Sequence, residues 1–155
     1  FKDKNKHYEL KISNQNIKNK EITINEILNN HDNLILKVDI EGDEYNILKQ
    51  ILNNSKKINT LLIEFHDIQE NMNLIKEFIE QSSDLELIHI HANNYNYTNK
   101  FEDPKVIELT FTNNKKIKFE QKITDKKYPI EKLDYKNSHR KDDFILRFED
   151  DTRIS

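Results

Sequence analysis

The chain has no cysteine. Disulfides, thiolate nucleophiles and cysteine-based zinc sites are therefore excluded. No apolar run approaches the roughly 20 residues that span a bilayer. No signal-peptide pattern opens the sequence. The default compartment is then the cytoplasm. Charge of one sign is also missing: 25 Lys and Arg against 28 Asp and Glu leave a formal net charge of −3. That balance gives no electrostatic case for a nucleic-acid or anionic-membrane partner. Glycine is almost absent, with a single copy at Gly42.

What is present is thin but concentrated. Apolar residues make up 35% of the 155 positions and charged residues 34%. The apolar residues fall in short blocks, which predicts a modest core in one domain. "HYELKIS" (7–13) suggests a short strand. "TINEIL" starts a helix, with Thr23 and Glu26 at capping-box spacing. An alternation follows. "NLILKVDI" reads as a strand apolar on both faces, and "DEYNILKQILNN" as a helix with Tyr45, Leu48, Ile51 and Leu52 on one side. "INTLLIEFH" is a second strand. "IQENMNLIKEFIEQ" is a helix with Ile68, Met72, Ile75 and Ile79 as its core stripe, and "LELIHIH" is a third strand. Such strands predict an α/β fold with a parallel sheet and helices on both faces. "KVIELTFT" and "KKIKFEQ" then suggest a hairpin around Asn113 and Asn114. "DFILRF" suggests a last short strand. The expected organisation is a leader with a short helix over 1–33, an α/β core over 34–121 and a surface-wrapping tail over 122–155.

Each predicted parallel strand ends in polar groups at i and i+2: Asp39 and Glu41, Glu64 and His66, His89 and His91. The third runs on into Asn93 and Asn94. Residues at i and i+2 share a face, and open α/β sheets bind ligands beyond the carboxyl ends of their strands. Gly42 would let the backbone turn sharply from the first strand into its helix. Asp39 and Glu64 lie in apolar contexts where an unpartnered carboxylate is costly. Glu41 reads equally as a cap. Asp43 and Glu44 read as helix-start residues favoured by the helix dipole. His66 and His91 suit either a structural or a site role, and His89 reads as structural.

"LKVDIEGDEYNIL" resembles the hallmark segment of FkbM-type S-adenosylmethionine-dependent methyltransferases. "TINEIL", "LLIEFHDI", "LIHIHANNY" and "PKVIELTF" are similar to neighbouring segments of that family, over roughly residues 20 to 112. The resemblance implies a Rossmann-like methyltransferase fold, with an antiparallel last strand inserted between the "IEFH" and "LIHIH" strands. It implies S-adenosylmethionine as cofactor and a hydroxyl on a sugar, other glycan or small metabolite as acceptor. Asp39, Glu64 and His66 would be catalytic. Asp39, Glu41 and Gly42 would meet the cofactor, and His91, Asn93 and Asn94 the acceptor. A divalent cation is a variant of this reading: Asp39, Glu64, His66 and His91 form an oxygen and nitrogen ligand set, though without HExxH-type spacing. One departure stands out. The family holds its cofactor with a glycine-rich loop, and this sequence has none. The expectation is the C-terminal portion of a longer enzyme. The alternative is a non-catalytic binding or assembly module that lost the donor site.

Overall fold

A computed structural model describes residues 11–12, 21–29, 31–95, 104–116 and 127–146. Two short strands, β1 (Lys11–Ile12) and β2 (Glu21–Ile22), pair in parallel. Helix α1 (Ile24–Asn29) follows, and the Thr23 hydroxyl accepts a hydrogen bond from the Glu26 N–H at 3.1 Å, the cap its spacing predicts. The main sheet holds β3 (Leu34–Val38), β4 (Ile58–Phe65), β5 (Leu85–Ala92) and β6 (Ile107–Asn113). Their order is β3-β4-β6-β5. β3 and β4 are parallel, and β6 runs antiparallel to both of its neighbours. This is the strand order that the resemblance implies, with the antiparallel last strand between those ending in "IEFH" and "LIHIH".

The register sorts the side chains. Val38, Ile63, Leu109 and Ile90 follow one another across one face, with Phe65 and Ile107 beside them. These residues join α1, α2 (Leu48–Asn53) and α3 (Ile68–Gln81) in a single core that contains Ile24, Leu28, Ile51, Ile75 and Phe78. Phe65, Phe78 and Phe111 stack through it with edge-on contacts of 6.2 and 5.5 Å. The opposite face carries Lys37, Leu62, Thr110 and His89 in register, then Glu64, Glu108 and His91. Among the described residues no helix covers it. The described part of the second face is met over β5 and β6 by the irregular tail, through Asp134 on His89 and Asn137 on Glu108. β3 is correspondingly not buried on both sides, and Ile35 is 74% exposed. Among the described residues no strand pairs with its outer edge. No described helix is long and apolar enough to cross a membrane.

Two further differences have local causes. The helix expected over 43–54 is broken into a 3-10 turn at Glu44–Asn46 and then α2. The tight turn is what lets the Glu44 carboxylate reach back to the backbone of Ile40 and Gly42. Helix α3 has the expected bounds, but Met72 is 37% exposed and Phe78 occupies the core instead. The second hairpin strand, 117–121, lies outside the described residues, and of "DFILRF" only a bridge between Leu146 and Tyr128 is described.

Candidate active site

Beyond β3 the chain reverses through Ile40–Asp43, closed by Asp43 N–H donating to the Ile40 carbonyl at 3.3 Å. Both central residues have positive φ, +55° at Glu41 and +101° at Gly42. Left-handed backbone costs a residue with a Cβ roughly 1–2 kcal/mol. Glycine avoids that cost, which explains why the only copy sits here. A Cβ at Gly42 would meet nothing within 4 Å, so the loop's outer surface is open. Gly42→Ala should therefore destabilise through backbone strain alone, by about 1–3 kcal/mol in urea melts. A neutral result would remove this account of the turn.

The reversal is held from inside. Glu44 is completely buried, and its Oε1 accepts N–H bonds from Gly42 at 3.1 Å and Ile40 at 3.4 Å. The same oxygen lies 2.7 Å from His66 Nδ1. An oxygen already accepting two backbone donors can only accept again, so Nδ1 carries the proton. His66 follows the last residue of β4, where Asp67 turns the chain at φ +47° into α3. Tyr45 locks that corner from below, its hydroxyl donating to the His66 carbonyl at 2.5 Å. Burial and then the Glu44 charge push the Tyr45 phenol up to about 12, so it stays a donor.

With Nδ1 fixed, Nε2 of His66 faces outward. It lies 3.2 Å from Glu64 Oε1 and 3.5 Å from Glu41 Oε2. Asp39, Glu41 and His66 each bring a ligand atom within 4.8 Å of the others. Lys37 contacts the Asp39 carboxylate at 3.2 Å from an exposed position. Burial first, then the negative charges of Asp39 and Glu108, raise the Glu64 carboxyl above the ordinary carboxylate range. The polar ends of β3 and β4 thus open on one side of the sheet.

β6 carries this network across to β5. Glu108 lies opposite Glu64 and opposite His91 in register. His91 Nδ1 is 3.5 Å from Glu108 Oε2, and Asn137 Nδ2 donates to Glu108 Oε1 at 3.0 Å. His91 Nε2 and Asp143 Oδ1 are buried 3.7 Å apart, too far for a hydrogen bond. The Glu108 bond raises the His91 imidazole above the usual histidine value of 6.5, and the His91 bond holds Glu108 below its usual 4.5. The signs follow by linkage. The raised His91 stabilises the fold fully below 6.5 and loses that contribution as pH rises through its folded value. The lowered Glu108 stabilises fully above 4.5 and loses its contribution as pH falls through its folded value. The pair should therefore contribute most between 4.5 and 6.5, and His91→Gln should flatten the stability profile on both sides of that window. Urea melts at stepped pH check this.

A cavity of about 220 Å³ opens between this strip and the tail. His89, His91, Glu108, Thr110, Asp134 and Asn137 line it, with Leu133 and Tyr135 also bordering it. His89 has a structural task. Its Nε2 lies 2.7 Å from Asp134, and its ring packs on Tyr128. Asn94 differs from the expectation that it meets an acceptor. It is fully buried, and its amide holds the tail: Nδ2 donates to the carbonyls of Ser138 and Lys141, and Oδ1 accepts from Ser138 N–H. Asn93 closes a local turn through Tyr95 N–H at 2.9 Å.

Sequence reasoning grouped Asp39, Glu41, Glu64 and His66 with His89, His91, Asn93 and Asn94; the first four lie together, His91 reaches them by way of Glu108, and His89 and Asn94 hold the tail. It missed Glu44, because an acid at a helix start has an ordinary explanation. It also missed Glu108. The signal for Glu108 was its place beside Thr110 and Thr112 on the polar parity of "IELTFT", once that strand is set against β4.

S-adenosylmethionine fits part of this arrangement. Its sulfonium is a cation, and the open loop at Asp39–Gly42 presents two carboxylates beside bare backbone. The sequence offers no glycine-rich turn for the nucleoside end. No curated protein and no solved structure matches the chain. A family profile described as the Methyltransferase FkbM domain matches residues 2–97, which include β3, β4 and β5 and the carboxylate and imidazole groups at the ends of β3 and β4. By that match over more than half of its length, the chain belongs to the FkbM methyltransferase family.

Proposed function

We propose that this protein takes part in S-adenosylmethionine-dependent methyl transfer to a hydroxyl on a sugar or small metabolite. The observation that carries the reading is the convergence of Asp39, Glu41, Glu64 and His66 at the ends of β3 and β4, inside the family match. The cofactor, when bound, supplies an electrophilic methyl group on sulfur. The protein's part is alignment and removal of the acceptor proton. Asp39, Glu41 and the Gly42 backbone receive the positive end of the cofactor. Glu64 takes the acceptor proton, and His66, held by Glu44, orients the hydroxyl. The cavity beside His91 and Glu108 is where the rest of a polar acceptor would lie, flanked by the exposed Tyr135 ring. Asn93 and Asn94 do not line that cavity: Asn93 closes its local turn and Asn94 serves the tail.

Calorimetric titration with S-adenosylmethionine tests the proposal. One-to-one binding that weakens in Asp39→Asn supports it. No heat at millimolar ligand favours the second reading, a non-catalytic α/β binding or assembly module. The one observation on that side is the single glycine, which leaves no glycine-rich turn for the methyl donor in this sequence.

A further inference from the structure

Strand β5 carries one extra residue. Its partners on β6 run from Leu87 opposite Phe111 to His89 opposite Thr110, so Ile88 is passed over. Side chains alternate along a strand, and an inserted residue turns those after it to the other face. Leu85 and Leu87 therefore pack into the core, while His89 and His91, of the same parity, line the cavity on the opposite face. Ile88 is left 46% exposed. Bulges that re-aim side chains in this way gather next to binding sites.

The cavity so furnished has two kinds of wall. His91, Glu108, Thr110 and Asn137 supply polar groups, and the exposed Leu133 and Tyr135 supply apolar surface at its border. Convergent polar groups beside an aromatic face suit a ligand with hydroxyls on its edge and C–H groups on its face. The charges in the lining balance. His89 lies 2.7 Å from Asp134 and His91 3.5 Å from Glu108, so each imidazole meets a carboxylate whichever way it is protonated. Among the described residues no lysine or arginine lines the cavity, and Lys136 contacts Asp142 instead. Such cations are what hold phosphate and carboxylate groups. An anion here would face Glu108 and Asp134 with no unbalanced positive charge to offset them.

We propose that this cavity selects an uncharged pyranose ring and rejects phosphorylated and uronic acid sugars, with Glu108 and Asn137 setting the preference and Tyr135 as the stacking surface. Glu108 accepts from ring hydroxyls. Asn137 donates one amide proton to Glu108 at 3.0 Å and keeps a second for the ligand. Register adds direction: Glu108 lies opposite Glu64, so a ring seated here borders the group assigned to take the acceptor proton. The inference rests on the acceptor role proposed for this cavity and narrows the acceptor by charge.

Saturation-transfer NMR on the full chain, without S-adenosylmethionine, tests it. The probes are the methyl pyranosides of glucose, galactose and mannose, each beside its 6-phosphate and its uronate. Ring C–H protons of at least one neutral glycoside should receive saturation, and its charged counterparts should bind at least about 10-fold more weakly. Glu108→Lys should reverse that order in favour of the 6-phosphate. Tyr135→Ala should weaken the neutral glycoside several-fold, and Tyr135 is at the surface, so this variant keeps the test informative if the Glu108 variant folds poorly. No saturation of any glycoside at millimolar concentration, or equal binding of neutral and 6-phosphate forms by the wild type, would overturn the proposal. The calorimetric titration reads the donor separately. Donor binding with no glycoside signal ends this inference alone, and glycoside binding with no donor heat ends the methyl-transfer reading alone.

Discussion

Glu44→Ala should cost about 3–5 kcal/mol of stability, the largest loss expected from any surface-distant polar change in this chain. The carboxylate is wholly buried, so its removal leaves three donors without their acceptor: the N–H groups of Ile40 and Gly42 and the His66 Nδ1–H. These bonds are part-buried, so each orphaned donor carries at most roughly 1–3 kcal/mol, and less where water reaches it. Glu44→Gln should lose less, because the amide oxygen still accepts. Urea denaturation orders the variants as wild type, Gln, Ala. The cost also has a functional face: the Ile40–Asp43 reversal and the imidazole lose their common anchor, so the pocket should loosen even where the fold survives. Equal stability of the Ala variant and the wild type would mean that Glu44 is not the tie between the two strand ends.

The second large effect falls on rate. Glu64→Gln keeps size and hydrogen-bonding capacity but removes the base, so turnover should drop by about 10²–10⁴-fold. Stability should change little or rise, because the substitution removes a carboxylate crowded by Asp39 and Glu108. The separation is the point of the measurement. Steady-state methyl transfer together with urea melts would show a catalytic loss without a folding loss. An equal fall in both would make Glu64 a structural residue.

How far these features were legible in the sequence depends on what each required. Strand and helix order was readable from periodicity, and α3 over Ile68–Gln81 is the clearest case. The inserted position of β6 was not readable from spacing; the family resemblance implied it, because chain order alone does not say where a strand joins a sheet. Nor could pattern alone distinguish a strand buried on two faces from one buried on a single face. Ile35 is apolar and 74% exposed, so the run "LILKV" looked more buried than it is. At the site, Asp39, Glu41, Glu64 and His66 were visible because i and i+2 residues share a face. Glu44 was hidden by chemistry. An acid at the start of a helix satisfies a local rule, and only the fold shows its side chain turned inward to His66. Asn94 was hidden in the opposite sense. It looks like a ligand-binding amide, and the fold uses it to fasten residues 138–141 over β5.

The account stands on the ends of β3 and β4 forming one ligand-binding corner. Amide NMR of the labelled chain, titrated with S-adenosylhomocysteine, asks this directly. The prediction is that resonances of Asp39–Gly42 and His66 shift together and saturate together. Shifts that are absent, or that gather instead along α3 on the helical side of the sheet, would contradict it.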